Sequence, residues 1–409
     1  MSRHRKTAAA AGSAVLALAL AACGGSDAEG SGSEQSLESM KPVTLSFNES
    51  VAPGSGMATA LNEFLDTVTE KSGGKITFEK FYSSSLLAPT ETLTGVSDGV
   101  GSISQVTPAF FQEKLPVTAW LARAAPALEP GFPLTTIQGP LAGSDFALGS
   151  EELTREYADN NVVILRSYTS GYGNAICTKR IETLADAKGV RIRVAGEPFA
   201  SEAKAIGMEP VVIPGTEMFE ALQRGVVDCV TAADGGEIYS TFGLTEVGKY
   251  LVPIQFSPTT FISFMMNKDQ WDELPEAGQK IILETWADYE VKRLRETLTG
   301  FGRFLDDAEE KRIEFTDPRE INVKLAAHQK AAVADLATSA PPGVADPEGV
   351  LKAYLDKLAE YLPVAQGLVK GGAAPPGIEL KAAYRTAIDQ VDFDGLHEAY
   401  VKMYTSHAG

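Results

Sequence analysis

Residues 189–232, GVRIRVAGEPFASEAKAIGMEPVVIPGTEMFEALQRGVVDCVTA, alternate twice between strand and helix and then close on a strand. Strand 190–195 leads to helix 198–206, which Pro198 opens and Gly207 stops. Strand 209–213 leads to helix 217–224, with Thr216 as cap and Gly225 as stop, and VVDCVT follows as the last strand. Turn signals and hydrophobic pattern agree at each step, as a strand–helix–strand unit with parallel strands requires. Within the first strand Val190, Ile192 and Val194 share one face, and Arg191 and Arg193 share the other. Arginine cannot shed its proton, so at the end of an inner strand it must meet water, a protein carboxylate or a ligand anion. Position alone leaves an internal ion pair, a solvated side chain and a ligand site all open.

The text on either side extends the alternation. From residue 41, VTLSFNE, GMATALNEFLDTVTEKSGG and KITFEKF read strand, helix, strand: Met57, Leu61, Phe64, Leu65 and Val68 fall on one helical face, and Gly73 and Gly74 stop it. A helical stretch, APTETLTGVSDGV, and a short strand at 101–106 follow, which favours a largely parallel sheet. The turn PGSG at 53–56 is either an anion cradle of free backbone N–H groups or a plain helix start. An apolar strand at 162–167 opens a new segment. Residues 275–305 read as one long helix, because Pro275 suits its start and Ile282, Trp286, Tyr289, Leu294, Leu298, Phe301 and Leu305 recur every three or four positions. Beyond Pro318 the sequence is Ala-rich and helical, broken twice at APPG, which predicts appended helices, and no internal repeat is visible.

The chain has 409 residues and 54 acids against 36 bases, a formal charge of -18, so two lobes are expected and a nucleic-acid binder is not. Residues 1–22 read as an export signal: Arg3, Arg5 and Lys6 precede the apolar TAAAAGSAVLALALAA, which is short for a spanning helix. Leu20, Ala21, Ala22 and Cys23 are similar to a bacterial lipobox, whose cysteine is acylated; the alternative is an ordinary signal peptide. The Gly, Ser and acidic residues of 23–40 then form a flexible tether, its first 17 or so residues spanning on the order of 20 to 25 Å. Attachment to the outer face of the cytoplasmic membrane is thus expected through lipid alone. Cys177 and Cys229 either pair, as export allows, or pack as small hydrophobes in their apolar runs.

Catalytic motifs are nearly absent. The four histidines, His4, His328, His397 and His407, form no metal-spaced cluster, and no nucleophile elbow, P-loop or dinucleotide fingerprint follows a strand. No cofactor, metal or enzymatic activity is expected.

Four ordered pieces resemble the solute-binding proteins of TRAP transporters, the DctP family. They are GGKITFEKFYSSSLLAPTETLTGVSDGVGSISQVTPAFF (73–111), KRIETLADAKGVRIRV (179–194), AIGMEPVVIPGTEMFEALQRGVVDCV (205–230) and MMNKDQWDELPEAGQKII (265–282). The resemblance implies an α/β, two-lobed periplasmic-binding-protein type II fold with a long bracing helix and a C-terminal helical extension. Lobe I is expected over 41–166 plus 252–285, lobe II over 167–251 plus 286–318, and the extension over 319–409. It further implies that Arg193, the last Arg of the family's K-I-R-V, binds the carboxylate of a small organic acid in the interlobe cleft, and that the closed protein delivers it to a TRAP permease. Arg191, where a Lys is usual, is expected as a surface charge.

Asn48, Thr107, Asn174, Asp234 and Tyr172 are the further ligand candidates implied, and each has a plain alternative as cap, turn or hinge packing. Gly235, Gly236 and Tyr168 adjoin the same walls. Some usual residues are missing: Ala195 replaces a Pro, Asn174 stands where some members place a second Arg, and VDCVTA replaces V-D-G-x-x-N. An ABC-type or TRAP-type binding protein for a neutral solute is therefore the alternative, and a secreted lipoprotein enzyme a remote one.

Overall fold

The computed structural model describes residues 37–232, 235–374 and 379–408, and among these residues period-two apolar runs form eleven strands. In chain order they are β1 (Val43–Asn48), β2 (Ile76–Phe81), β3 (Ile103–Val106), β4 (Val162–Tyr168), β5 (Gly173–Cys177), β6 (Arg191–Val194), β7 (Glu209–Val212), β8 (Cys229–Ala232), β9 (Tyr250–Phe256), β10 (Ile262–Asn267) and β11 (Glu314–Phe315). The first sheet has the order β2-β1-β3-β10-β4 and the second β11-β9-β5-β8-β6-β7. β1, β2 and β3 run parallel, as do β6, β7 and β8, which is the pairing the strand–helix–strand pattern predicts. The sheets as wholes are mixed rather than largely parallel. β10 opposes β3 and β4, and β5 opposes β8 and β9, whereas β11 pairs parallel with β9.

The chain crosses between sheets at 169–172 and returns at 257–261. These two crossovers are tied to each other: Ser170 N donates to Thr259 O at 2.9 Å, and Thr259 N to Ser170 Oγ at 2.9 Å. The lobe boundaries expected at 166/167, 251/252 and 285/286 fall inside β4, β9 and the long helix respectively.

That helix, Glu276–Glu310, is 35 residues long, about 50 Å at 1.5 Å per residue. Near its start Trp286 stacks on Phe64 of helix Gly56–Lys71 with centroids 3.8 Å apart; near its end Phe304 meets Tyr239 of helix Gly235–Thr241 at 6.0 Å. One rigid rod therefore packs on helices of both halves. Helix Gly56–Lys71 is capped by Ser55, whose Oγ accepts from Ala58 N, and a side chain at Gly56 would overlap Glu296 of the long helix. The PGSG turn is thus a helix start packed against an internal carboxylate. Thr216 lies inside a 3-10 turn, Gly215–Glu217, instead of capping helix Met218–Gln223.

After Pro318 come helices Arg319–Ala334, Pro347–Leu368, Leu380–Gln390 and Phe393–Thr405. The last two lie on the long helix, where Arg385 binds Asp306 at 2.6 Å and His397 binds Asp288 at 2.8 Å. Helix Pro347–Leu368 packs on the buried helix Thr135–Gly149. There burial alone would raise the Asp145 pKa, but bonds to His407 (2.7 Å) and Lys357 (2.7 Å) hold it down at about 2. Cys177 and Cys229 are direct partners across β5 and β8 and form a disulfide, which decides between the two readings of that pair.

Candidate ligand-binding site

Strand alternation separates the two faces of β6. Ile192 and Val194 enter the core with Cys177, Cys229 and Phe256, so Arg193 must leave on the opposite face. Its guanidinium is buried, 6% exposed, and lies at the end of the sheet: Nε donates to Ile213 O at 2.7 Å and Nη1 to Thr231 O at 3.0 Å. Both acceptors are neutral carbonyls, and among the described residues no carboxylate stands within ion-pair distance. Desolvation accordingly pushes the Arg193 pKa down to about 10, against a small opposing effect of the Tyr239 phenol. Arg191, two residues earlier on the same face, is half exposed and has its acid: Nε lies 3.3 Å from Asp228, which Lys179 also binds at 2.9 Å. Of these two arginines the buried one has no acid beside it among the described residues.

Asn174 joins this group directly. Its main-chain carbonyl accepts from Thr231 Oγ1 at 2.9 Å and from Tyr239 Oη at 2.6 Å, and its Nδ2 donates to Tyr384 Oη at 3.0 Å. Tyr172, on the crossover, sends its hydroxyl to Leu128 O (3.0 Å) and Pro126 O (3.3 Å), so it fastens the hinge segment. Thr107 follows β3 directly and is half-buried, its carbonyl accepting from Phe110 N. The two halves approach there: a Cβ on Gly196, just past β6, would come 3.8 Å from Ala109 Cβ.

Asn48 is committed elsewhere. Its Oδ1 accepts from Leu86 N (3.3 Å) and Leu87 N (3.1 Å), and its Nδ2 donates to Leu87 O (3.3 Å) and Ser104 Oγ (3.0 Å). Two lone pairs and two protons are thereby used, leaving nothing for a guest. Asp234 and Cys23 lie outside the described residues, as do residues 1–36 of the expected signal and tether. Gly235 and Gly236 open helix Gly235–Thr241.

Sequence reasoning missed a buried charge cluster beneath Tyr168. Glu290 of the long helix binds Arg166 Nε at 2.6 Å through one oxygen and Arg293 Nε at 2.9 Å through the other, and the Arg293 guanidinium sits 4.2 Å from the Tyr168 ring. The signal was present: Arg166 interrupts an apolar strand, and Glu290 and Arg293 share the apolar face of Trp286 and Tyr289. Glu49, next to Asn48, is also buried, and burial raises its pKa despite bonds from Ser50 and the charge of Arg166.

A cavity of about 380 Å³ runs between the two halves beside the hinge, lined by Pro108, Arg123, Pro198, Thr260 and His328 with Glu202 in its wall. Desolvation raises the Glu202 pKa to about 7, although Ser257 N (3.0 Å) and Gln329 Nε2 (3.0 Å) donate to it. Among the described residues no cluster of His, Cys, Asp and Glu has metal-site geometry, and no helix is long and apolar enough to cross a membrane.

Two mixed sheets joined by two crossovers that are bonded to each other define a two-lobed binding-protein fold. Three comparisons agree with that class. A solute-binding protein of Verminephrobacter eiseniae is 25% identical over 244 residues, 59% of this chain and 70% of that one. A TRAP periplasmic solute-binding protein of Desulfovibrio salexigens with bound orotic acid superimposes with a TM-score of 0.66 at 21% identity, covering 78% of this chain and 99% of its own. A TRAP solute-binding protein of Rhodoferax ferrireducens with copurified benzoate gives 0.65 at 20% identity, covering 79% and 99%. Residues 47–336 match the bacterial extracellular solute-binding protein family 7, DctP, and the chain belongs to that family.

Proposed function

We propose that this chain is the extracytoplasmic receptor of a TRAP transporter and captures a small organic acid through Arg193. The observation that carries this reading is a buried guanidinium bonded, among the described residues, only to the Ile213 and Thr231 carbonyls. The two carbonyls each take one guanidinium N–H but supply no charge, and a buried cation without a counter-charge is costly. A ligand carboxylate arriving as the halves close would meet that need where water is excluded and attraction is strong. The orotic acid and benzoate held by the two similar structures are of this chemical class. Thr107, Asn174, Tyr172 and Asp234 are the polar neighbours in this reading, and Asn48 contributes by fixing the loop at 86–87. The acid is bound and released unchanged, without cofactor or metal, and passed to the membrane subunits of the permease. Acylated Cys23 and the acidic tether would keep the receptor at the outer face of the cytoplasmic membrane.

The test is a thermal-shift comparison of orotate and benzoate with their uncharged amides. An acid at about 100 times its dissociation constant adds roughly 2.7 kcal/mol to the folded state. Recovery of the intact acid by mass spectrometry separates binding from turnover, and the mass of the mature N-terminus reads the acylation. One observation favours a second reading: the bonds from Arg193 tie together the ends of β7 and β8, a structural clamp compatible with a neutral ligand. Equal stabilisation by acid and amide would support the clamp and reject the acid site.

A further inference from the structure

Three elements meet at Asn174, and the path continues to Arg193. Tyr384 Oη accepts from Asn174 Nδ2 (3.0 Å), the Asn174 carbonyl accepts from Thr231 Oγ1 (2.9 Å), and the Thr231 carbonyl accepts from Arg193 Nη1 (3.0 Å). Tyr384 comes from helix Leu380–Gln390, beyond the family span of 47–336. Its ring is fixed between Phe301, with centroids 4.2 Å apart, and Phe132 at 4.8 Å. The helix that carries it is pinned to the long helix through Arg385 on Asp306 (2.6 Å) and Glu309 (3.2 Å). The hydroxyl is therefore held at one point in space from outside the second sheet.

Asn174 depends on that point. It is 3% exposed and its Oδ1 is buried with no hydrogen-bond partner, so Tyr384 Oη is the one side-chain partner of the amide among the described residues. Removing the hydroxyl leaves the whole amide unpaired in a buried place, the expensive way to lose a hydrogen bond. Relief by a shift of β5, which pairs Ala175 with Thr231 of β8, displaces the Thr231 carbonyl on which the guanidinium is seated.

We propose that Tyr384 is a positioning residue for Arg193, so that the C-terminal helix sets the orientation of the guanidinium and hence the affinity for the acid. The second half of this statement rests on the reading of Arg193 as the acid-binding group; the first half does not.

The experiment uses the full chain with Tyr384→Phe, which keeps the ring and removes the oxygen. In ligand-free protein the ¹⁵N–¹H signal of Arg193 Nε, assigned by its loss in Arg193→Lys, is expected to shift and to exchange with water about fivefold faster or more. Affinity for whichever of orotate and benzoate binds the wild type is expected to fall by about the same factor. In an Asn174→Ala background the same change is expected to add nothing, since the link is already cut. An unchanged Arg193 signal in Tyr384→Phe, or an undiminished effect in the Asn174→Ala background, overturns the proposal. If Tyr384→Phe does not fold, Asn174→Ala breaks the same bond from the other side and is read by the Arg193 signal alone, since Asn174 is itself a proposed neighbour of the acid. If Arg193→Ala leaves acid affinity intact, the acid reading fails while the Arg193 signal still decides the role of Tyr384. If neither acid binds, that signal decides alone.

Discussion

Replacing Arg193 by methionine removes the charge and keeps most of the stem. In the folded state the charge is penalised: its pKa falls from 12.5 to about 10, and at 1.36 kcal/mol per unit this is a cost on the order of 3 kcal/mol. Below about pH 10 the group is charged both folded and unfolded, so the whole penalty applies at neutral pH. Against this stand two charge-assisted bonds, to Ile213 O and Thr231 O, each contributing roughly 1.5 to 3 kcal/mol. The bonds match or exceed the penalty by at most about 3 kcal/mol, and ligand-free Arg193→Met is expected to unfold within about 3 kcal/mol of wild type by urea titration. The ligand-bound comparison is different: an acid that stabilises the wild type by about 2.7 kcal/mol should stabilise the variant not at all. A variant that still binds the acid at wild-type affinity would refute the assignment. So would a ligand-free loss well beyond about 3 kcal/mol, because Arg193 would then be mainly a clamp on the ends of β7 and β8.

Three further outcomes follow from other parts of the fold. Glu202 has a raised carboxyl pKa, about 7 against an ordinary value of 4.5, so its protonated form favours folding: the wild type should lose stability as pH rises from about 4.5 to about 7, and Glu202→Gln should flatten that slope in urea midpoints. Replacing both Cys177 and Cys229 by valine opens a covalent loop spanning 52 residues and should cost about 4 kcal/mol, read as a matching drop in unfolding free energy; no loss would mean the cross-link is not formed in the exported protein. Glu290→Gln leaves the Arg166 and Arg293 guanidiniums buried without their shared acid and should destabilise by about 3 to 5 kcal/mol, whereas the triple variant Arg166→Met, Glu290→Leu, Arg293→Met should be close to neutral. Equal losses in the single and triple variants would count against that account.

Periodicity carried what is local. Alternation in VRIRV and the stops at Gly207 and Gly225 set β6, β7 and the two helices that follow them to within a residue or two, while β8 begins three residues later than VVDCVT predicts; the spacing from Ile282 to Leu305 marked most of the 35-residue helix. Helix Thr135–Gly149 gave no such signal because nearly every residue from Thr135 to Ala147 is buried, and a helix wrapped on all sides has no polar face to set a period. The reversal of β5 and β10 was also hidden, since direction depends on which sheet a strand joins.

For the site, the sequence by itself determined that Arg193 is charged, that it shares a face with Arg191 and that neither can join Ile192 in the core. Only the tertiary structure decided that Asp228 neutralises Arg191 while Arg193 meets carbonyls, that the amide of Asn48 is fully used by its own lobe, and that Tyr384 reaches Asn174 from 210 residues away. Side-chain chemistry and its period travel with the residue, whereas pairing and desolvation belong to whatever the fold brings alongside.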